Sequence, residues 1–391
     1  MAQPDFATST HAKNWTFSSV EAVHLRRQKT HEKAMSKLSC EAQPPPPMPA
    51  LEDLDFLCAF YEFKLQELCR DESKHDPSRF TNRVLLTAQS FFKRFYLHAS
   101  PMVEEPKGIM LASLFLAGKV EQERIQLMDL VPKYAKDLKP EALVALERKL
   151  LDSLRFQLVV RSPFRCLVGL LQDLHGVLSE AHRGEAGFAA GQLTSSLEAL
   201  HRGAIDRVSE ALRTDALFVY SPQQIALAAL LSAADAAGSK DGGDSVGSGA
   251  AVRDFIERRF GTAQSDGADG HGELLPLLQR VAEASVCTFD PTTDDALARL
   301  KAIDKQLRKV NKHAKQLEKA EEERRRAVEV EQQRERDRAR AAEAKAEDER
   351  MTERIRKAEV EAKALLHGDG EAVGDEPFVL HKKRRRTDDT A

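Results

Sequence analysis

Lys119 and Glu147 are the two side chains whose placement most demands a chemical explanation. Lys119 is the first charge after Lys107 in the apolar stretch PKGIMLASLFLAGKV. It falls in the last turn of the helix that this stretch predicts, where the helix dipole favours a cation. Glu147 is odder. On a helix over 141–156, Leu143, Leu146, Leu150, Leu151 and Leu154 form an apolar stripe, and Glu147 projects into its middle. A carboxylate placed there must find a cation or strong donors, because an unpaired buried charge is costly. A purely internal salt bridge would satisfy it. The sharper expectation is that Glu147 meets Lys119 where two helices surface together, leaving hydrogen-bonding capacity for a partner protein.

Reactive arrangements are otherwise missing from the sequence: there is no H-E-x-x-H, no clustered Cys/His set, no G-x-S-x-G and no kinase H-R-D or D-F-G. The twelve histidines are dispersed. The Gly/Ser/Asp tracts 238–249 and 261–272 contain no phosphate-cradling glycine loop and read as loops around a short helix, 252–260. The expectation is a non-catalytic protein with no cofactor and no metal.

The stretch FFKRFYL at 91–97 sets aromatic rings around two positive charges in a chain with only 6% aromatics. Such a stretch could stack on bases or be one side of a helix. Projected at ~100° per residue, Phe80, Val84, Leu85, Ala88, Phe91, Phe92, Phe95 and Tyr96 share one arc, with Asn82, Arg83, Ser90, Lys93 and Arg94 opposite. The rings therefore face a core. Leu86 and Leu97 fall on the polar side and call for contact with either a neighbouring element or a partner.

Apolar residues recur at three and four, with almost no alternation of period two, so the fold is expected to be all-α. A helix over 18–38, capped by Ser18 or Ser19, and a stiff PPPP linker at 44–47 make up residues 1–50. Five helices follow at about 51–70, 78–97, 106–121, 125–135 and 141–156, giving a block over 51–160. A second block, 161–290, has helix starts at Ser162-Pro163 and at Ser221-Pro222-Gln223-Gln224, the latter a capping box. Residues 106–117 align in step with 222–233, which points to a duplicated unit. Leu297, Leu300, Ile303, Leu307, Val310 and Leu317 then open a long charged helix, 291–366, whose first third packs on something and whose remainder is solvated or forms a coiled coil. In the tail 367–391, Lys382, Lys383, Arg384, Arg385 and Arg386 form a basic cluster of nuclear-import type.

The balance of 59 Lys+Arg against 62 Asp+Glu does not suggest a general nucleic-acid binder. The five cysteines lack C-x-x-C spacing and are expected as free thiols in a reducing compartment. The longest apolar run, 225–237, is too short to cross a bilayer, and the N-terminus has no signal-peptide pattern.

With these residues in view, LFLAGKVEQE at 114–123, ALERKLLDSLRFQL at 145–158 and FKRFYL at 92–97 resemble the cyclin family. FKRFYL is similar to the transcription-associated members. NWTFSS at 14–19, RSPFRCLVGLLQDL at 161–174 and DALFVYSPQQIALAALLSAA at 215–234 are similar to the cyclin H group. The resemblance implies tandem five-helix cyclin boxes, with Lys119 and Glu147 contacting a cyclin-dependent kinase. It also implies a regulatory subunit of the CDK-activating kinase, associated with transcription factor IIH and a RING-finger assembly factor, and a place in the nucleus. The first helix reads LCAFYEFKLQEL where cell-cycle members carry M-R-A-I-L.

A C-type cyclin is the nearest rival. A cyclin-fold initiation factor would call for a zinc ribbon and a basic repeat surface, neither of which the sequence displays. Were the chain mainly a coiled-coil scaffold, ending it near Asp290 should abolish function; a kinase regulator ending there should still activate.

Overall fold

The computed structural model describes residues 6–39, 46–75, 80–135, 138–181, 183, 190–241, 248–260 and 274–366. All the regular elements among them are helices. The basic cluster 382–386 and Cys40 lie outside the described residues. The chain divides into two units, 1–317 and 318–391.

In the first unit a 3-10 turn, Phe6–Thr8, precedes α1 (Thr10–Trp15) and α2 (Val20–Leu38), and the Ser9 and Ser19 hydroxyls accept from the Ala12 and Ala22 amides as N-caps. The first helical block is α3 (Leu51–His75), α4 (Asn82–Tyr96), α5 (Pro106–Val120), α6 (Leu127–Tyr134) and α7 (Pro140–Ser153). The second is α8 (Pro163–Ala181), α9 (Ala190–Ala211), the short α10 (Ala216–Val219), α11 (Pro222–Asp241), α12 (Gly249–Phe260) and α13 (Leu274–Ala284). Then comes α14 (Asp294–Leu366).

The two aligned stretches become equivalent central helices. In α5, Ile109, Leu111, Ala112, Leu114 and Ala117 lose all solvent contact, as expected of a helix without a polar face. It packs against α3, α4 and α7. A Cβ at Gly108 would lie 2.6 Å from Leu146 Cδ1, so the absent side chain is what lets α7 close on α5. Helix α11 packs against α8, α9, α12 and α13. Its start carries the expected capping box: the Gln224 amide donates to Ser221 Oγ at 3.3 Å, and the Ser221 amide donates to Gln224 Oε1 at 2.9 Å.

Helix α4 departs from the projection, because both of its faces are covered. Its rings enter the core as expected, but Ser90, Lys93 and Arg94 are buried as well. The added cover is the N-terminal segment. Trp15 stacks on the Arg94 guanidinium at 4.9 Å, and the Thr30 hydroxyl donates to the Leu97 carbonyl at 2.9 Å. That cover accounts for Leu97, while Leu86 is buried where Pro163, Leu217, Phe218 and Ile225 come close.

The opening of α14 behaves as its rhythm predicts, with one exchange. Leu300, Ile303, Leu307 and Val310 pack with Ala34, Leu38, Leu54, Leu57 and Met102 into a second core, while Leu297 stays exposed and Ala296 is buried instead. His313 Nε2 lies 3.1 Å from the Leu38 carbonyl, tying this helix to the end of α2.

Candidate functional site

Helix α5 ends immediately beyond Lys119 in a Schellman motif. The Glu123 amide donates to the Gly118 carbonyl at 2.8 Å and the Gln122 amide to the Lys119 carbonyl at 3.4 Å, with Gln122 in the left-handed region at φ 63°. The motif fixes the helix end, and Ile125 folds back so closely that a Cβ on Gly118 would lie 2.9 Å from it. Lys119 is thereby held on the last turn, at the negative end of the helix dipole.

Glu147 sits on α7 between buried Leu143 and Leu150 and is itself buried, its side chain 9% exposed. Lys119 Nζ donates to both of its oxygens, at 2.6 and 2.8 Å. The lysine is different in kind, with 52% of its side chain exposed. Its ammonium also lies 4.0 Å from the centroid of the Phe115 ring, a cation–π contact one turn back on α5. The structure therefore brings together the two residues the sequence singled out. The carboxylate acts as an internal anchor and the ammonium stands at the surface, with a donor to spare.

One exposed side chain on this helix escaped the sequence reading. The expected helix over 141–156 stops at Ser153, and Arg155 and Phe156 turn left-handed at φ 52° and 56°. The Phe156 amide donates to the Leu151 carbonyl at 3.1 Å, closing the helix end, while the residue is 68% exposed. Left-handed backbone at a non-glycine residue costs on the order of 1–3 kcal/mol. Phe156 is thus a strained residue that faces solvent. Helical projection missed it by continuing the helix through it. Val144, also exposed, lies three residues before Glu147 on the same helix.

Lys93 belongs to a buried charge network, and Arg94 is buried beside it on backbone carbonyls. Lys93 Nζ lies 2.8 Å from Glu62 Oε2 and 3.9 Å from Asp215 Oδ1, and Arg27 reaches both oxygens of Asp215 at 2.7 Å. Burial pushes the Glu62 carboxyl up, against the pull of Lys93 and Arg27. Arg94 is held by the carbonyls of Gln157 and Val159 at 3.3–3.4 Å, and desolvation lowers its pKa to about 9. These charges join α2, α3, α4 and the residue that opens α10. Among the described residues, no group of three or more His, Cys, Asp or Glu side chains is placed to hold a metal ion.

The match to family models agrees with this architecture. Residues 73–159 match the cyclin N-terminal domain and residues 162–283 the cyclin C-terminal domain. The chain belongs to the cyclin family. Within it, the chain is similar to cyclin-H1-1 of Arabidopsis thaliana, 31% identical over 45% of this chain and 47% of that protein, so the match spans about half of the plant protein's length. It is 29% identical to cyclin-H of Xenopus laevis over 60% of this chain and 69% of that one. It is 30% identical to cyclin mcs2 of Schizosaccharomyces pombe over 59% of this chain and 70% of that one. In fold it is similar to a chain of the CAK complex from Chaetomium thermophilum bound to ATP-gamma-S, with TM-score 0.61, 22% identity, and 78% and 88% of the two chains covered. A chain of the yeast TFIIK (Kin28/Ccl1/Tfb3) complex gives TM-score 0.50 at 25% identity, covering 72% of this chain and all of that one.

Proposed function

We propose that this chain is the regulatory cyclin of a cyclin-dependent kinase acting in transcription: the CDK-activating kinase associated with transcription factor IIH. On this reading it supplies no catalytic group, works in the nucleus, and assembles with the kinase and a RING-finger factor. The supporting relatives are cyclins of the H group, and the yeast neighbour was solved with Kin28 and Tfb3. The observation that carries the reading is the Lys119–Glu147 pair, with its buried carboxylate and half-exposed ammonium beside Phe115.

The mechanism is a population shift. The first helical block presses on the kinase's mobile helix and favours the arrangement in which its catalytic lysine–glutamate pair is assembled. Moving a kinase from about 1% to about 99% active geometry takes roughly 5.5 kcal/mol of differential binding. One ion pair falls short of that. Burying an aromatic or aliphatic side chain contributes about 1.5–3 kcal/mol, so Phe156, Val144 and the uncovered part of Phe115 supply the larger share, and Lys119 sets orientation.

The test is co-purification of the partner kinase with the wild-type chain and with Lys119→Ala/Glu147→Ala, followed by activity toward a kinase activation loop and the RNA polymerase II tail. The double variant should stay folded and lose association or activation. Normal binding and activation would remove the site assignment, and capture of no kinase by the wild type would remove the functional reading. A C-type cyclin is the second reading, supported by 30% identity to cyclin-C1-1 of Arabidopsis thaliana over 156 residues. The kinase captured distinguishes the two.

A further inference from the structure

Helix α14 changes character at Leu317. Before it, Leu307, Val310 and His313 are buried; after it, every residue from Glu318 to Ala364 is exposed. Residues 318–366 contain fifteen acidic and fourteen basic side chains and neither glycine nor proline. A helix that is polar all round has no apolar face to hold it against a neighbour. It persists only where side-chain pairs along its own surface support it.

Such pairs run along the segment. Arg325 meets Glu321 at 2.8 Å and Arg326 meets Glu322 at 2.6 Å, with Lys357–Glu353 at 3.7 Å and Lys319–Glu323 at 4.0 Å, all one turn apart. Arg334–Glu331 adds an i,i+3 pair at 3.8 Å, and the Gln333 amide donates to Asp337 at 3.1 Å. In three of the four i,i+4 ion pairs the acid precedes the base, the order that also suits the helix dipole.

A coiled coil is the competing arrangement, and the residues argue against it. A heptad seam drawn through Val330, Met351, Ile355, Ala358 and Ala362 also takes in Glu323, Arg334, Asp337 and Asp348. Pairing with a second helix would strip water from those four charges in exchange for burying a seam made largely of alanine. Val328 and Val360, both more than half exposed, fall outside that seam.

We infer that residues 318–366 are a self-supporting single α-helix, a stiff strut that works without a partner helix and holds its own two ends about 70 Å apart. Its function is to set a distance. It is independent of the kinase-binding reading, because none of its residues belongs to that site.

The test is a distance measurement in the full chain. Spin-labelled amino acids replace Ala320 and Ala358, and electron–electron resonance reads the separation across a range of protein concentrations. The expected result is one narrow distribution near about 57 Å, the rise of 38 helical residues, with a monomeric mass by sedimentation. A broad, shorter distribution would show a frayed chain, and a doubled mass a coiled coil of two copies; either overturns the proposal. Arg325→Glu with Arg326→Glu sets like charges one turn apart and should broaden the distribution, and an unchanged width overturns ion-pair support. Met351→Gln with Ile355→Gln should leave distance and mass unaltered. A shift there would reveal a seam partner and overturn the proposal as well.

Discussion

Lys93 Nζ lies 2.8 Å from Glu62 Oε2 with only 2% and 6% of the two side chains exposed, so the first helical block carries a salt bridge almost wholly removed from water. Such a pair is costly to break and cheap to replace, because the penalty lies in stranding one charge. Lys93→Met leaves the buried Glu62 near Asp215 with Arg27 alone to offset it, and Glu62→Leu leaves a buried ammonium with Asp215 at 3.9 Å. Each single change should lower unfolding free energy by about 3–5 kcal/mol, and the double change should recover most of the loss. Denaturant midpoints of the three variants check this; additive losses would show that the two residues do not act as a pair.

Phe156 should matter to binding and hardly at all to folding. Glycine takes the left-handed conformation freely, so Phe156→Gly relieves strain while adding freedom to the unfolded chain, and the two effects offset to within about 1 kcal/mol. Losing the ring should weaken kinase association at least about tenfold, the equivalent of roughly 1.4 kcal/mol. Titration of variant against wild type by calorimetry reads this directly. Equal affinities would leave the exposed ring without a role at the kinase contact.

His11 makes the N-terminal segment acid-sensitive. The Arg161 amide donates to its Nδ1 at 3.1 Å, and burial, with Arg94 and Arg161 nearby, lowers its pKa from 6.5 to about 3. Because the folded value lies below the unfolded one, its contribution is complete above pH 6.5 and is lost as pH falls toward 3. At pH 5.5 the loss from this residue should be about 1.4 kcal/mol. His98, lowered to about 4 by desolvation and by Arg26, pushes in the same direction. Unfolding free energies at pH 7.5 and 5.5 should differ less for His11→Gln, whose amide oxygen can still accept from Arg161; an unchanged difference would clear His11.

Truncation should separate the two parts of α14. A chain ending at Leu317 keeps Leu300, Ile303, Leu307 and Val310 in their core and should retain wild-type stability and kinase activation. Ending at Asp290, which from the sequence alone looked harmless, uncovers Ala34, Leu38, Leu54 and Leu57, each removed side chain having contributed about 1.5–3 kcal/mol. Thermal unfolding of the two chains gives the comparison; equal midpoints would mean the opening of α14 is not part of the fold.

Periodicity made much of this architecture legible. The all-helical blocks, the capping box at Ser221 and the meeting of Lys119 with Glu147 follow from apolar spacing and from one carboxylate out of place. What projection could not supply was the second face of α4. A helical wheel assumes one side in solvent, and only residues far off in sequence, Trp15 and Thr30 among them, reveal that Lys93 and Arg94 are enclosed. Phe156 escaped for a local reason, since nothing in LRFQL announces a left-handed turn without glycine.

The seating of α2 has a consequence for the order of events during synthesis. Its Arg27 closes on Asp215, the nearby Phe17 amide donates to the Phe218 carbonyl at 2.6 Å, and Leu38 waits for His313. At about 5–20 residues per second, roughly 190 residues separate Arg27 from Asp215, or about 10–40 s on the ribosome. For that interval α2 can already rest on the first helical block, through Thr30 at Leu97 and through Ala34 and Leu38 beside Leu54 and Leu57, while Asp215 and Phe218 have yet to arrive. The second helical block therefore completes a seat that the first has already begun, and Asp215 and Phe218 are the late contacts that lock α2 in it.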